Sequence, residues 1–104
     1  MAGLQFPAID NASVVHLETP LRVPVGAELR DKVEDLLRRG ERRIVLDLAG
    51  VSDLDAAGVG ELLRAYNRTF AANGILRIVH SSRRVRELLA RVGVFEFLHE
   101  DMEI

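Results

Sequence analysis

Three features of the sequence point to a small α/β domain, with one mixed, mostly parallel sheet of four to five strands backed by three or more helices. Apolar runs of strand length alternate with stretches of helical spacing. The connections between them are short. The chain has 104 residues with 48% apolar content, which suits a single compact core. Alternation with short connections argues for parallel neighbours joined by right-handed crossovers. Residues 1–104 read as one domain, with its core over about 13–98 and a mobile acidic tail, HEDMEI, over 99–104.

Taken in order, a short extended piece is expected around Leu4 to Ile9. SVVHLETPL, from Ser13 to Leu21, reads as a strand from its β-branched pair and its stop at Thr19-Pro20. Val25, Leu29, Val33, Leu36 and Leu37 then recur at helical spacing, with charged residues on the other face and Gly40 suited to the left-handed end. RIVLDL, Arg43 to Leu48, is branched and almost wholly apolar, as expected of a strand covered on both faces. After Asp55, the residues Val59, Leu62, Leu63, Tyr66 and Phe70 form the stripe of a second helix, closed by Asn73-Gly74. ILRIVH, Ile75 to His80, is a further strand. Val85, Leu88, Leu89 and Val92 line a third helix ending at Gly93, and VFEFL reads as a last short strand.

Composition removes several classes of function. A net charge of −2 with 29% charged residues argues against a broad nucleic-acid surface, and RRGERR reads as a solvated turn. Without cysteine there is no thiol chemistry or disulfide. The N-terminus lacks a signal-peptide pattern and no apolar run is long enough for a membrane span, so a bacterial-type cytoplasmic location is expected, without direct membrane insertion.

Candidate chemistry is sparse. Asp47 ends a strand, where receiver domains carry their phospho-accepting aspartate, but Asp10 has no acidic partner to hold magnesium. A strand-end carboxylate bonding neighbouring amides is the better account. His16, His80 and His99 lack paired ligand spacing, so no metal is expected. Ser82 reads as an N-cap, and Ser81, Ser82, Arg83 and Arg84 together form a candidate anion-binding turn; capping alone accounts for the serines. No spacing assembles a nucleophile, base and carboxylate, and no glycine-rich loop follows a strand in a nucleotide-binding pattern. Neither an enzyme nor a cofactor is expected.

The most informative stretch is LDAAGVGELL, Leu54 to Leu63. Asp55 can cap the helix by accepting from the amide of Ala57 or Gly58, facing the positive end of the helix dipole. Gly58 and Gly60 in the first turns each cost about 1 kcal/mol relative to alanine. Two reasons for that cost stand side by side: close approach of a partner surface, or close packing of the helix on its own sheet.

IVLDLAGVSDLDAAGVGELL resembles the signature of the STAS domain, found in sulfate transporters and bacterial anti-sigma factor antagonists. In that family a strand of type vvlDls leads through a loop to Asp-Ser-Ser-Gly-Leu/Val and a helix. Asp47, Asp55, Gly58, Val59 and Leu62 match, and VGVFEFL resembles the family's glycine-hydrophobic-phenylalanine segment. The resemblance spans about Val14 to Leu98.

The resemblance implies a binding switch in transcription regulation. Antagonists of this family bind an anti-sigma factor, typically a serine kinase, and so free the sigma factor. Phosphorylation of the second serine breaks the complex, since a phosphate adds nearly two negative charges at an interface beside an aspartate. Here Ala57 stands at that position and Ala56 at the one before it, so neither accepts phosphate. Where antagonists often carry Gly-Glu/Asp-Leu-Asp, this chain has Thr19, Pro20, Leu21 and Arg22, an acid-to-base change expected to alter partner choice. The expected partner surface is Arg22, Val23, Pro24 and Val25 with Asp55, Ala56, Ala57, Gly58, Gly60, Glu61 and Arg64 on the exposed start of the second helix. The alternatives are a scaffold among other STAS proteins or an accessory transporter subunit, and a small-ligand carrier using the Ser81 to Arg84 turn.

Overall fold

The computed structural model describes residues 12–17 and 23–99, the side chains of 23–27 excepted. Among them the order is β1 (Ser13–His16), α1 (Val23–Arg38), β2 (Arg43–Asp47), α2 (Ala56–Ala71), β3 (Ile75–Val79), α3 (Arg83–Arg91) and α4 (Phe95–Leu98). The strands form a parallel sheet in the order β1-β2-β3. Its register sets His16 opposite Asp47, and Asp47 opposite Val79.

The central strand is apolar because it has no solvent face: Ile44, Val45 and Leu46 are all buried. Leu29, Val33 and Leu37 recur every fourth residue and turn one face of α1 into the core. Helices α1 and α2 pack against one another, and α2 also packs on β3. Val85 and Leu89 of α3 and Leu98 of α4 complete the same cluster.

The sheet is narrower than the sequence suggests. Among the described residues it has three strands, all parallel, rather than four to five of mixed direction. The expected piece at Leu4 to Ile9 lies outside the described residues, and β1 ends at His16. VFEFL is a helical turn rather than a strand: the amides of Leu98 and His99 bond the carbonyls of Val94 and Phe95 at 3.3 and 2.9 Å. The physical reason is its pattern of burial. Leu98 is buried and Val94 and Phe95 pack partly on the core, the three- and four-residue spacing of a helix, whereas Phe97 is turned outward. Just after this turn, a parallel bridge joins His99 to Ile78, and His99 also stacks on Phe95. The first residue of the expected tail is thus held on the domain; residues 100–104 lie outside the described ones.

The buried face of α2 is also rotated from the expected stripe. It consists of Gly58, Glu61, Leu62, Ala65 and Thr69, while Phe70 is 68% exposed. Thr69 can take a core position because its hydroxyl donates to the Ala65 carbonyl at 2.8 Å. Phe70 instead stacks against Tyr66, which also lies against Phe97.

Gly40 and Gly93 end α1 and α3 with φ of +90° and +82°, as their positions predict. After α2, Asn73 rather than Gly74 takes the left-handed conformation, with φ of 65°. Gly74 serves close approach: a Cβ there would lie 2.5 Å from the Arg42 carbonyl oxygen.

Candidate functional site

The segment from β2 to α2 is fastened by its own aspartates. Asp47 accepts from the Ala49 amide at 2.9 Å, Asp53 from the Leu54 amide at 2.8 Å, and Asp55 from the Gly58 amide at 2.7 Å. Val51 and Leu54 are buried between them, so the loop is held by apolar and polar anchors in alternation. Asp55 caps α2 from an extended backbone, as the sequence predicts, with Gly58 as the donor. Ala56 and Ala57 open the helix, Ala56 exposed and Ala57 half-buried.

Beyond them the site departs from expectation. Glu61 is buried rather than exposed. Its carboxylate accepts from Arg30 of α1 at 3.2 and 3.1 Å and from Arg64 at 2.9 Å, so two guanidiniums from two helices share one acid. A carboxylate at this depth requires such partners, because an unpaired buried charge is strongly destabilising. Arg30 was not legible as a site residue: it lies 31 positions from Glu61, and only the packing of α1 on α2 brings them together.

Arg30, Ala56, Ala57, Gly60, Glu61 and Arg64 line a cleft of about 630 Å³. A Cβ added at Gly60 would meet only the tip of Arg64, at 3.6 Å. Of the two reasons for the glycine cost at this position, packing on the domain itself is therefore absent. The cleft continues between the helices over Val33 and Ala65 as far as Arg68, which is paired with Glu34. Arg22 lies outside the described residues. Val23, Pro24 and Val25 form the first turn of α1, where proline's missing amide hydrogen costs nothing.

In the second candidate turn, Ser82 caps α3 by accepting from the Val85 amide at 3.2 Å, with Ser81 half-buried before it. Arg83 pairs with Glu87, and Arg84 with Asp53, each at 3.2 Å. The pair Arg84–Asp53 ties this turn to the loop that precedes α2.

A third cluster lies at the C-terminal edge of the sheet. His16 and His80 each present Nδ1 to Asp47, at 3.0 and 3.1 Å. His80 reaches it from a left-handed backbone, φ 60°, which is uncommon for a side-chain-bearing residue. Burial acts to raise the Asp47 pKa, but the Ala49 amide, His80 and His16 outweigh it and hold the carboxyl below its ordinary value. The bond to a neighbouring amide is legible in the sequence, but the two imidazoles are not, because their meeting depends on strand register.

The sequence matches the STAS domain family over residues 4–103. A comparison with curated proteins gives no match. Among solved structures, the chain is similar to a putative anti-sigma factor antagonist of Thermotoga maritima, with TM-score 0.77 and 17% identity over 91% of this chain and 82% of that one. It is also similar to a sulfate transporter family protein of Wolinella succinogenes, with TM-score 0.76 and 22% identity over 88% of this chain and 75% of that one. The Bacillus cell fate determinant SpoIIAA in its phosphorylated form aligns with TM-score 0.67 and 20% identity over 89% and 85%. At these identities the likeness establishes the fold.

Proposed function

Because the chain belongs to the STAS domain family, we propose that it is a regulatory binding protein of the anti-sigma factor antagonist kind. In this reading it sequesters an anti-sigma factor or serine kinase in bacterial cytoplasmic transcription control, and is not switched off at the usual position. One observation carries the reading. The capped start of α2 presents Ala56, Ala57 and Gly60 to an open cleft, with no hydroxyl at 56 or 57 to receive a phosphate. In this reading the start of α2 is the docking surface, and the residue through which charge would dismantle the complex is missing.

The test is incubation with a serine kinase of the anti-sigma factor class, with and without ATP, read by pull-down and intact mass. The expected result is a complex that persists in ATP with no mass gain on this chain. Loss of the complex together with phosphate transfer onto this chain overturns the unswitched reading.

A second reading is a scaffold or accessory subunit of a signalling assembly or transporter. The observation that favours it is the outward aromatic group of Tyr66, Phe70 and Phe97, a contact face away from the start of α2. Co-purification with other STAS proteins or transporter subunits, rather than with a kinase, selects it.

A further inference from the structure

The cleft at the start of α2 is unlike a generic docking surface in its charge. Among the described residues lining it around Ala57 and Gly60, the acidic group is Glu61, only 7% exposed at its side chain, whereas Arg30 and Arg64 are 56% and 67% exposed. Two cations share one anion, so the wall carries a surplus positive charge, and the positive charge is the part that faces outward. Each guanidinium has N–H donors on three nitrogens. Arg30 gives one of its nitrogens to Glu61 and Arg64 gives one of its own, and among the described residues the others are unengaged. Glu61 therefore acts as the internal anchor that holds both forks in place and leaves donors directed elsewhere.

The floor between the forks is small and uncharged. Ala57 and Gly60 lie one turn apart beside the arginines, and even a Cβ at Gly60 leaves the space open except for the tip of Arg64. The shelf admits a polypeptide surface, and the rim supplies the complement of a carboxylate. A fork geometry matched to carboxylate oxygens favours Asp or Glu on the incoming segment. The chain as a whole has a net charge of −2, so this positive rim is a local feature and not a reflection of overall charge.

We infer that the cleft between Ala57, Gly60, Arg30 and Arg64 receives an acidic side chain, Asp or Glu, presented by a protein partner. The inference rests on the reading of the start of α2 as the docking surface, and it specifies the partner's chemistry. In a relative switched by phosphorylation at this position, negative charge would arise on the domain itself. Here the site is built to take negative charge from outside.

The experiment uses the 15N-labelled full chain titrated with a hexaglutamate peptide at low and physiological salt. Hexalysine and inorganic phosphate, at matched ionic strength, form the control arms. Expected are shifts concentrated on the amides of Ala57, Gly60 and Glu61 and on the Nε–H signals of Arg30 and Arg64. They should weaken with salt, as charge steering requires. Affinity should fall about tenfold in Arg64→Gln, which leaves Glu61 its bond from Arg30, and further in Arg30→Gln/Arg64→Gln. Shifts that are absent, scattered over the surface, or unchanged in Arg64→Gln overturn the inference. So does an equal response to inorganic phosphate, which would make the cleft a free-anion site. A chain that binds hexaglutamate here but not an anti-sigma factor serine kinase keeps this inference and overturns the preceding one.

Discussion

Asp47 and His80, 33 residues apart in sequence, meet at 3.1 Å across the C-terminal edge of the sheet, and His16 closes on the same carboxylate from the other flanking strand. Both imidazoles present Nδ1 to the acid. Against the raising effect of burial, the Ala49 amide first and then His80 and His16 hold the carboxyl below its ordinary value of 3.8. A carboxylate with a depressed folded pKa contributes stability that is present above the unfolded value and is lost as pH falls through the folded one. Asp47→Asn is expected to lower stability at neutral pH by about 1.5–3 kcal/mol, the range for hydrogen bonds to a charged group. The gap should narrow as pH is taken below 3.8, where the wild-type acid also becomes neutral. Urea unfolding along a pH series measures this, and a gap that does not change with pH would contradict the assignment.

The cap of α2 rests on one carboxylate. Asp55→Ala removes the acceptor of the Gly58 amide and should cost about 1 kcal/mol. Asp55→Asn, which keeps an acceptor oxygen, should recover most of that. Thermal unfolding of the pair decides it, since a purely electrostatic role would leave the asparagine variant as weak as the alanine one.

Two glycines should respond in opposite directions. Gly60→Ala adds a Cβ to open space and should stabilise α2 by up to about 1 kcal/mol while weakening partner binding. Gly74→Ala drives a Cβ onto the Arg42 carbonyl oxygen at 2.5 Å and should destabilise by about 1–3 kcal/mol. Chemical denaturation of both variants reads the signs directly.

Glu61 predicts non-additivity. Arg30→Ala or Arg64→Ala alone leaves the buried carboxylate one cationic partner, and each should cost about 1 kcal/mol. The double variant strands the charge and should cost about 3–5 kcal/mol. Single effects that simply sum to the double would show that the two guanidiniums do not share a common anchor.

Ala57→Ser tests the missing hydroxyl. Incubated with an anti-sigma factor serine kinase and ATP, the variant should gain one phosphate by intact mass where the natural chain gains none. A serine variant that stays unmodified in an intact complex would place this pair outside the phosphorylation scheme.

Much of the architecture was legible in local pattern. The burial of Ile44 to Leu46, the ends of α1 and α3 at Gly40 and Gly93, and the caps at Asp55 and Ser82 each depend on residues within a few positions of one another. VFEFL misled because five largely apolar residues carry no period long enough to separate a strand from one helical turn. The buried face of α2 misled for a different reason. Glu61 and Thr69 are polar in type, and their polarity is answered by Arg30 and by the Ala65 carbonyl, partners that become visible only after packing. The same holds for His16 and His80, whose approach to Asp47 follows from a strand register that no local window contains.

The three aspartates between β2 and α2 have one more consequence. A loop whose backbone amides are already bonded to its own side chains has little freedom left to surrender when another molecule arrives. Ordering a flexible segment is a large part of what association must overcome, and preorganisation removes it beforehand. Recognition at the start of α2 should therefore approach rigid-body fit, with little change of backbone between the free and bound forms.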